Sequence, residues 1–104
     1  MKKVIERKVY DTSKAELIGG FSSGFSSDHN YVSEELYVTE NGRYFLYVEG
    51  GPNSRYREHC GNNTWASGED IIALGGREDA IEWAENHSLT KVLLENFSEE
   101  LEEA

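Results

Sequence analysis

Asn41 and Gly42 constrain the fold of this chain more than any other pair of residues. They stand between two β-rich runs, Glu35–Glu40 and Arg43–Val48. An Asn-Gly pair in that setting predicts a two-residue type I′ hairpin, because both turn positions need φ > 0. A two-residue loop sets the register: Glu40 opposite Arg43, Thr39 opposite Tyr44, Val38 opposite Phe45, Tyr37 opposite Leu46 and Leu36 opposite Tyr47. One face then shows Leu36, Val38, Phe45 and Tyr47, and the other Tyr37, Tyr44, Leu46 and Val48. A half-exposed antiparallel sheet normally has one polar face, and this hairpin has none. Either both faces are covered, or one tyrosine-rich face awaits a partner.

The flanking segments supply the cover. Lys3–Tyr10 alternates loosely and predicts one strand, Asp11-Thr12-Ser13 predicts a capped turn running through Lys14 or Glu16, and Leu17–Phe21 predicts a second strand. The near repeat Phe21-Ser22-Ser23-Gly24-Phe25-Ser26-Ser27 has a flexible composition, yet its two phenylalanines predict that at least one enters the core. Gly50-Gly51-Pro52-Asn53-Ser54 ends the hairpin, and residues 50–69 read as one long loop. Asp70–Leu74 predicts a short apolar strand. Gly76 then caps a helix whose first turn carries Glu78 and Asp79 and whose stripe carries Ala80, Ile81, Trp83, Ala84 and His87. Ser88 or Thr90 starts a second helix, with Leu89, Val92, Leu93, Phe97 and Leu101 at helical spacing and Glu102–Ala104 fraying. The expected architecture is α+β: a mainly antiparallel sheet of four or five strands with two C-terminal helices on one face. A chain of 104 residues is one such domain.

Charge narrows the function. The chain holds 20 acidic and 10 basic residues, a net charge of −10. That balance opposes direct binding to DNA or RNA, where affinity comes from Lys and Arg displacing counterions. The imbalance is graded: residues 1–14 carry a net +3, whereas residues 61–104 hold 11 acids against Arg77 and Lys91. Cys60 is the single cysteine, which excludes an intramolecular disulfide and a cysteine zinc cage. The charged start and the absence of a long apolar run predict a cytoplasmic protein without a membrane span.

His59-Cys60 is the one pair with reactive side chains, but neighbours in an extended segment point apart and cannot act as nucleophile and base. Nothing else carries catalytic, metal-binding or cofactor spacing, and adjacent acids such as Glu34-Glu35 and Glu69-Asp70 read as solvated surface. Binding residues are better represented. Tyr37 and Tyr44 lie on the hairpin, within a wider set of Tyr31, Tyr47, Tyr56 and Trp65, residue types that dominate binding hot spots. Arg55 and Arg57 flank Tyr56 and can anchor a carboxylate or phosphate. Glu95, Glu99 and Glu102, spaced by four and three on the second helix, would share one face and can imitate phosphates toward a basic protein.

Several stretches together resemble a known group: Lys8-Val9-Tyr10-Asp11-Thr12, Glu35-Leu36-Tyr37-Val38-Thr39, Tyr44-Phe45-Leu46-Tyr47, Gly50-Gly51 with Ser54 and Tyr56, Gly68–Leu74 and Ala80–Glu85. Over nearly the whole chain they are similar to a family of small uncharacterised proteins of Firmicutes-type bacteria and their phages and plasmids. That family has Pro-Leu-Ser before its last helices, where this chain has Ala73-Leu74-Gly75-Gly76 and so lacks the serine cap. Small acidic proteins of such elements include anti-CRISPR inhibitors. The resemblance therefore implies a non-enzymatic inhibitor that binds a host protein, such as a CRISPR effector, with no cofactor. The other readings are a self-associating module, homodimeric through an uncovered sheet face, and a small enzyme using His59 and Cys60.

Overall fold

The chain opens on a hairpin rather than the single strand expected over Lys3–Tyr10. In a computed structural model describing residues 1–25 and 27–104, strand β1 (Lys2–Ile5) pairs antiparallel with β2 (Lys8–Asp11) across the two-residue turn Glu6-Arg7. Both turn residues are left-handed, with φ of 50° and 66°. This is the primed two-residue turn expected of an Asn-Gly pair, formed here without either residue. Left-handed conformation costs a side-chain-bearing residue roughly 1–2 kcal/mol. Glu6→Asn with Arg7→Gly is therefore expected to raise stability by about 1 kcal/mol, after allowing for the added freedom that glycine gives the unfolded chain. Urea denaturation would check the gain.

Asp11 then closes the expected capped turn. Its carboxylate accepts from the Ser13 amide (2.9 Å) and hydroxyl (2.7 Å). Those hydrogen bonds hold its pKa below the usual aspartate range. Strands β3 (Glu16–Ser23), β4 (Val32–Val38) and β5 (Tyr44–Gly50) follow. The segment expected to be one long loop instead contains a short hairpin, β6 (Glu58–His59) and β7 (Trp65–Ala66), before β8 (Gly68–Ala73). The central sheet is four-stranded and antiparallel in the order β3-β4-β5-β8.

The β4–β5 hairpin exists, but its turn and register differ from expectation. Val38 pairs with Tyr44, Tyr37 with Phe45 and Leu36 with Leu46. The Thr39 amide donates to the Arg43 carbonyl (2.9 Å), and the Gly42 amide to the Thr39 carbonyl (2.9 Å). The Arg43 amide also donates to Thr39 Oγ1 (3.1 Å). Only Gly42 takes a left-handed φ, at 79°. The loop is thus Glu40-Asn41-Gly42, a type I turn followed by a left-handed glycine. The Thr39 hydroxyl bonds across the loop and draws Glu40 into it. One extra loop residue moves one strand's side chains to the other face relative to its partner. Leu36, Val38, Tyr44, Leu46 and Val48 therefore share one face, and Tyr37, Phe45 and Tyr47 the other.

Both faces are covered. Helix α1 (Arg77–Asn86), started by Gly76, and helix α2 (Thr90–Asn96) pack on the first face. Their core joins Leu36, Leu46 and Val48 to Ala80, Ile81, Trp83, Ala84 and Phe97. Gly19 allows α2 to approach β3: an added Cβ would meet the Val92 side chain at 2.5 Å. On the second face the N-terminal hairpin lays Tyr10 against Phe45 and Ile71, with Ile5, Ala15, Tyr37 and Tyr47 around them. Phe21 enters the first core, whereas Phe25 is exposed; Ser26 lies outside the described residues.

The second helix does not reach Leu101 as the spacing predicts. Asn96 turns its side-chain amide back to the Val92 carbonyl (3.1 Å), and Phe97 leaves helical geometry at φ −131°. A 3-10 turn over Ser98–Glu100 follows, and Leu101 is extended. Arg77 fixes this hook: Nε and Nη2 donate to the Glu100 carboxylate at 2.5 and 3.0 Å, and Nη2 also to the Asn96 carbonyl at 3.0 Å. Its guanidinium lies 4.7 Å from the centroid of the buried Phe97 ring.

Candidate functional site

The least expected side chain in the molecule is Glu34. It lies on β4 in phase with Val32 and Leu36, pointing under the helices, and is 3% exposed. The reading of Glu34-Glu35 as two solvated acids therefore holds for neither position fully and fails for Glu34. Four side chains converge on its carboxylate. The Trp83 indole donates to Oε1 at 2.9 Å, and His87 Nε2 stands 3.6 Å from the same oxygen. Arg55 Nη2 and the Tyr56 hydroxyl donate to Oε2. Burial alone would raise the pKa of Glu34, but the Tyr56, Trp83 and Arg55 donors outweigh it and leave the pKa below the usual glutamate value. Burial and the same carboxylate push the Tyr56 hydroxyl up. His87, at the C-terminus of α1, stacks on Phe21 with centroids 3.8 Å apart. The knot thus joins β3, β4, the loop after β5 and α1.

Beside it lies an open cleft of about 910 Å³, lined by Tyr31, Glu49, Arg55, Tyr56, Arg57 and Glu69, among others. Glu49 and Glu69 pair directly across β5 and β8. Tyr47 moderates their repulsion: its hydroxyl lies 2.5 Å from Glu69 and 3.2 Å from Glu49, while Tyr31 donates to Glu49 at 3.1 Å. Burial, followed by these carboxylates, raises the Tyr47 pKa. On the far side, Arg57 lies over the Trp65 ring at 3.9 Å, and His59 meets the ring edge-on. Cys60 is exposed at the tip of this arm, its Sγ 3.6 Å from the Thr64 carbonyl. Among the described residues, no group of three or more His, Cys, Asp or Glu is placed to hold a metal. No described helix is long and apolar enough to cross a membrane.

The residues expected to bind a partner are not gathered into one patch. Tyr37 stacks on Phe45 (5.3 Å) within the second core, and its hydroxyl meets Glu35 at 3.4 Å. Tyr44 lies on the opposite face, where Arg77 donates to its hydroxyl at 2.9 Å. Arg55 and Tyr56 direct their polar groups to Glu34, and Arg57 remains exposed. Glu95, Glu99 and Glu102 are exposed, but they do not share a helix face, because α2 ends at Asn96. Glu95 is also 3.8 Å from Lys91.

An acidic helix face exists elsewhere. Glu78, Glu82 and Glu85 are spaced by four and three on α1, and all three are exposed. They form a stripe about 10 Å long at 1.5 Å rise per residue. Among the described residues, none of the three meets a cation, because Arg77 is held by Glu100 and Lys91 stands beside Glu95. Glu99 and Glu102 extend the acidic surface beyond the hook. The 3.6-residue period shows this stripe as clearly as it shows the apolar one. No family model, no curated protein and no solved structure matches this chain.

Proposed function

We propose that this chain is a stoichiometric inhibitor of the anti-CRISPR type. It is carried by a mobile element, and it binds a basic, nucleic-acid-handling protein of its bacterial host through the acidic outer surface of its helical layer. The observation that supports this most is the stripe of Glu78, Glu82 and Glu85, three exposed carboxylates without a cation on a helix whose other side is anchored in the core. A fixed row of negative charge competes with phosphates for a groove lined by Lys and Arg, and complementary potentials of this kind speed encounter and set specificity. Carboxylates held on a helix lose little freedom on docking, so the surface is organised before binding.

The test is capture from nuclease-treated bacterial lysate by tagged protein, with bound proteins identified by mass spectrometry. A CRISPR effector or another nucleic-acid enzyme captured at one-to-one stoichiometry supports the reading. With that partner in hand, Glu78→Lys, Glu82→Lys and Glu85→Lys together are expected to weaken binding by about 100-fold or more, since like charges set against each other cost several kcal/mol. Arg57→Ala, on the far arm, is expected to leave it within about threefold. A partner that still binds the triple variant at full strength excludes the acidic face.

A further inference from the structure

The loop that joins β4 to β5 carries a chemical reactivity of its own. Asn41 is followed by Gly42, whereas each of the other six asparagines is followed by a residue with a side chain. A backbone nitrogen that follows an asparagine can attack its carboxamide, and a Cβ on the attacking residue obstructs the approach. Gly42 has no Cβ, and one built there would find no atom within 4 Å. Asn41 and Gly42 are both exposed, so water and hydroxide reach them. Asn96 shows the contrast, since its carboxamide is engaged with the Val92 carbonyl at 3.1 Å.

Two contacts restrain the reaction. The Gly42 amide donates to the Thr39 carbonyl at 2.9 Å, which keeps the nucleophile protonated while the loop is closed. The Arg43 amide donates to Thr39 Oγ1 at 3.1 Å and closes the same loop. Residues 40–43 are all exposed, and an exposed loop opens at far less cost than the whole domain. We propose that Asn41 is the site at which this chain deamidates spontaneously, and that opening of the Thr39–Arg43 loop gates the reaction. Hydroxide takes the proton of the freed Gly42 amide, and the nitrogen attacks Asn41 Cγ to close a cyclic imide. The Cγ–Nδ2 bond breaks, and ammonia leaves with a proton taken from water. Water then adds to one of the two imide carbonyls. Opening at Cγ gives aspartate, and opening at the main-chain carbonyl gives isoaspartate. The net reaction consumes one water and releases one ammonia, with no change of oxidation state. Either product adds a negative charge beside Glu40, taking the chain beyond its net −10. Isoaspartate also lengthens the backbone of a loop whose length sets the strand register.

Purified full-length protein held in mildly alkaline buffer tests this, sampled over time by ion exchange and peptide mapping with mass spectrometry. An acidic species should accumulate, with aspartate and isoaspartate at residue 41. Asn41→Ser should abolish it. Thr39→Val keeps the side-chain shape but removes the hydroxyl acceptor, and should speed the reaction about two- to tenfold, the loss of one net hydrogen bond. Glu34→Gln weakens the whole domain and leaves the loop intact, so its rate should stay within about twofold of wild type. Wild type in urea below its unfolding transition should also keep its rate, because loop opening exposes little surface. A chain that gains no acid at residue 41 overturns the proposal. A rate that rises with urea, or more with Glu34→Gln than with Thr39→Val, overturns the loop gate. None of these outcomes depends on whether a host protein is captured.

Discussion

Replacing Glu34 by alanine is expected to destabilise the protein by about 3–5 kcal/mol, the range seen when one partner of a buried charge network is removed. For a domain of this size that lowers the thermal midpoint by well over about 10 °C. The loss comes less from the carboxylate than from its donors: the buried Trp83 indole would keep its N–H and lose its acceptor. Glu34→Gln retains an acceptor oxygen and should cost roughly half as much, because hydrogen bonds to a charged group are about twice as strong as neutral ones. The same residue sets an acid limit. Its folded pKa lies below the ordinary value of 4.5, so its contribution is fully present above that value. It is lost as pH falls through the folded pKa. Wild-type stability should therefore decline below pH ~4.5, and Glu34→Gln should flatten the decline. Urea melts between pH 2 and 7 would show both effects, and an equally steep decline in the variant would count against this role.

Phe97→Ala is expected to cost about 3–5 kcal/mol, because a fully buried aromatic leaves a cavity as well as losing its transfer energy. Leu101→Ala should cost under about 1 kcal/mol, since Leu101 lies past the hook and is only partly covered. A continuous second helix would make the two losses comparable. Chemical denaturation of the pair therefore distinguishes the hook from the helix that the spacing predicts. Arg77→Ala should fall between them. It releases Glu100 and uncovers the Phe97 ring, but its charge pairs are at the surface, where they contribute little.

Local patterns carried much of the architecture. Short β-rich and apolar runs marked β3, β4, β5 and β8, and the apolar stripe around Trp83 marked α1, so the α+β class was legible. Errors came where a local signal had more than one physical solution. Asn41-Gly42 suits a two-residue loop, and it equally suits a three-residue loop once Thr39 bonds across it. At the N-terminus the turn rests on two left-handed residues with no turn preference, so no residue type announced it. The Leu93, Phe97, Leu101 spacing continues on paper through residues whose backbone is diverted by the Arg77 latch, a contact 19 to 23 positions distant. Glu34 was the most instructive omission. Its alternation with Val32 and Leu36 placed it inward, but the donors that make burial tolerable lie on two other segments, the loop after β5 and α1. The acidic character of the C-terminal part was legible from composition alone, whereas the element that presents it depended on where α2 stops.

The positions of the two tryptophans give the molecule its own optical gauge. Trp83 is sealed beneath the sheet with its indole on a carboxylate and an imidazole 5.3 Å away, while Trp65 stands on the arm under an arginine. Emission from the first should lie to the blue and shift when the interior opens. Emission from the second, 40% exposed, should lie to the red and follow changes in the arm. A single unlabelled sample can thus report the interior and the arm as two separable colours.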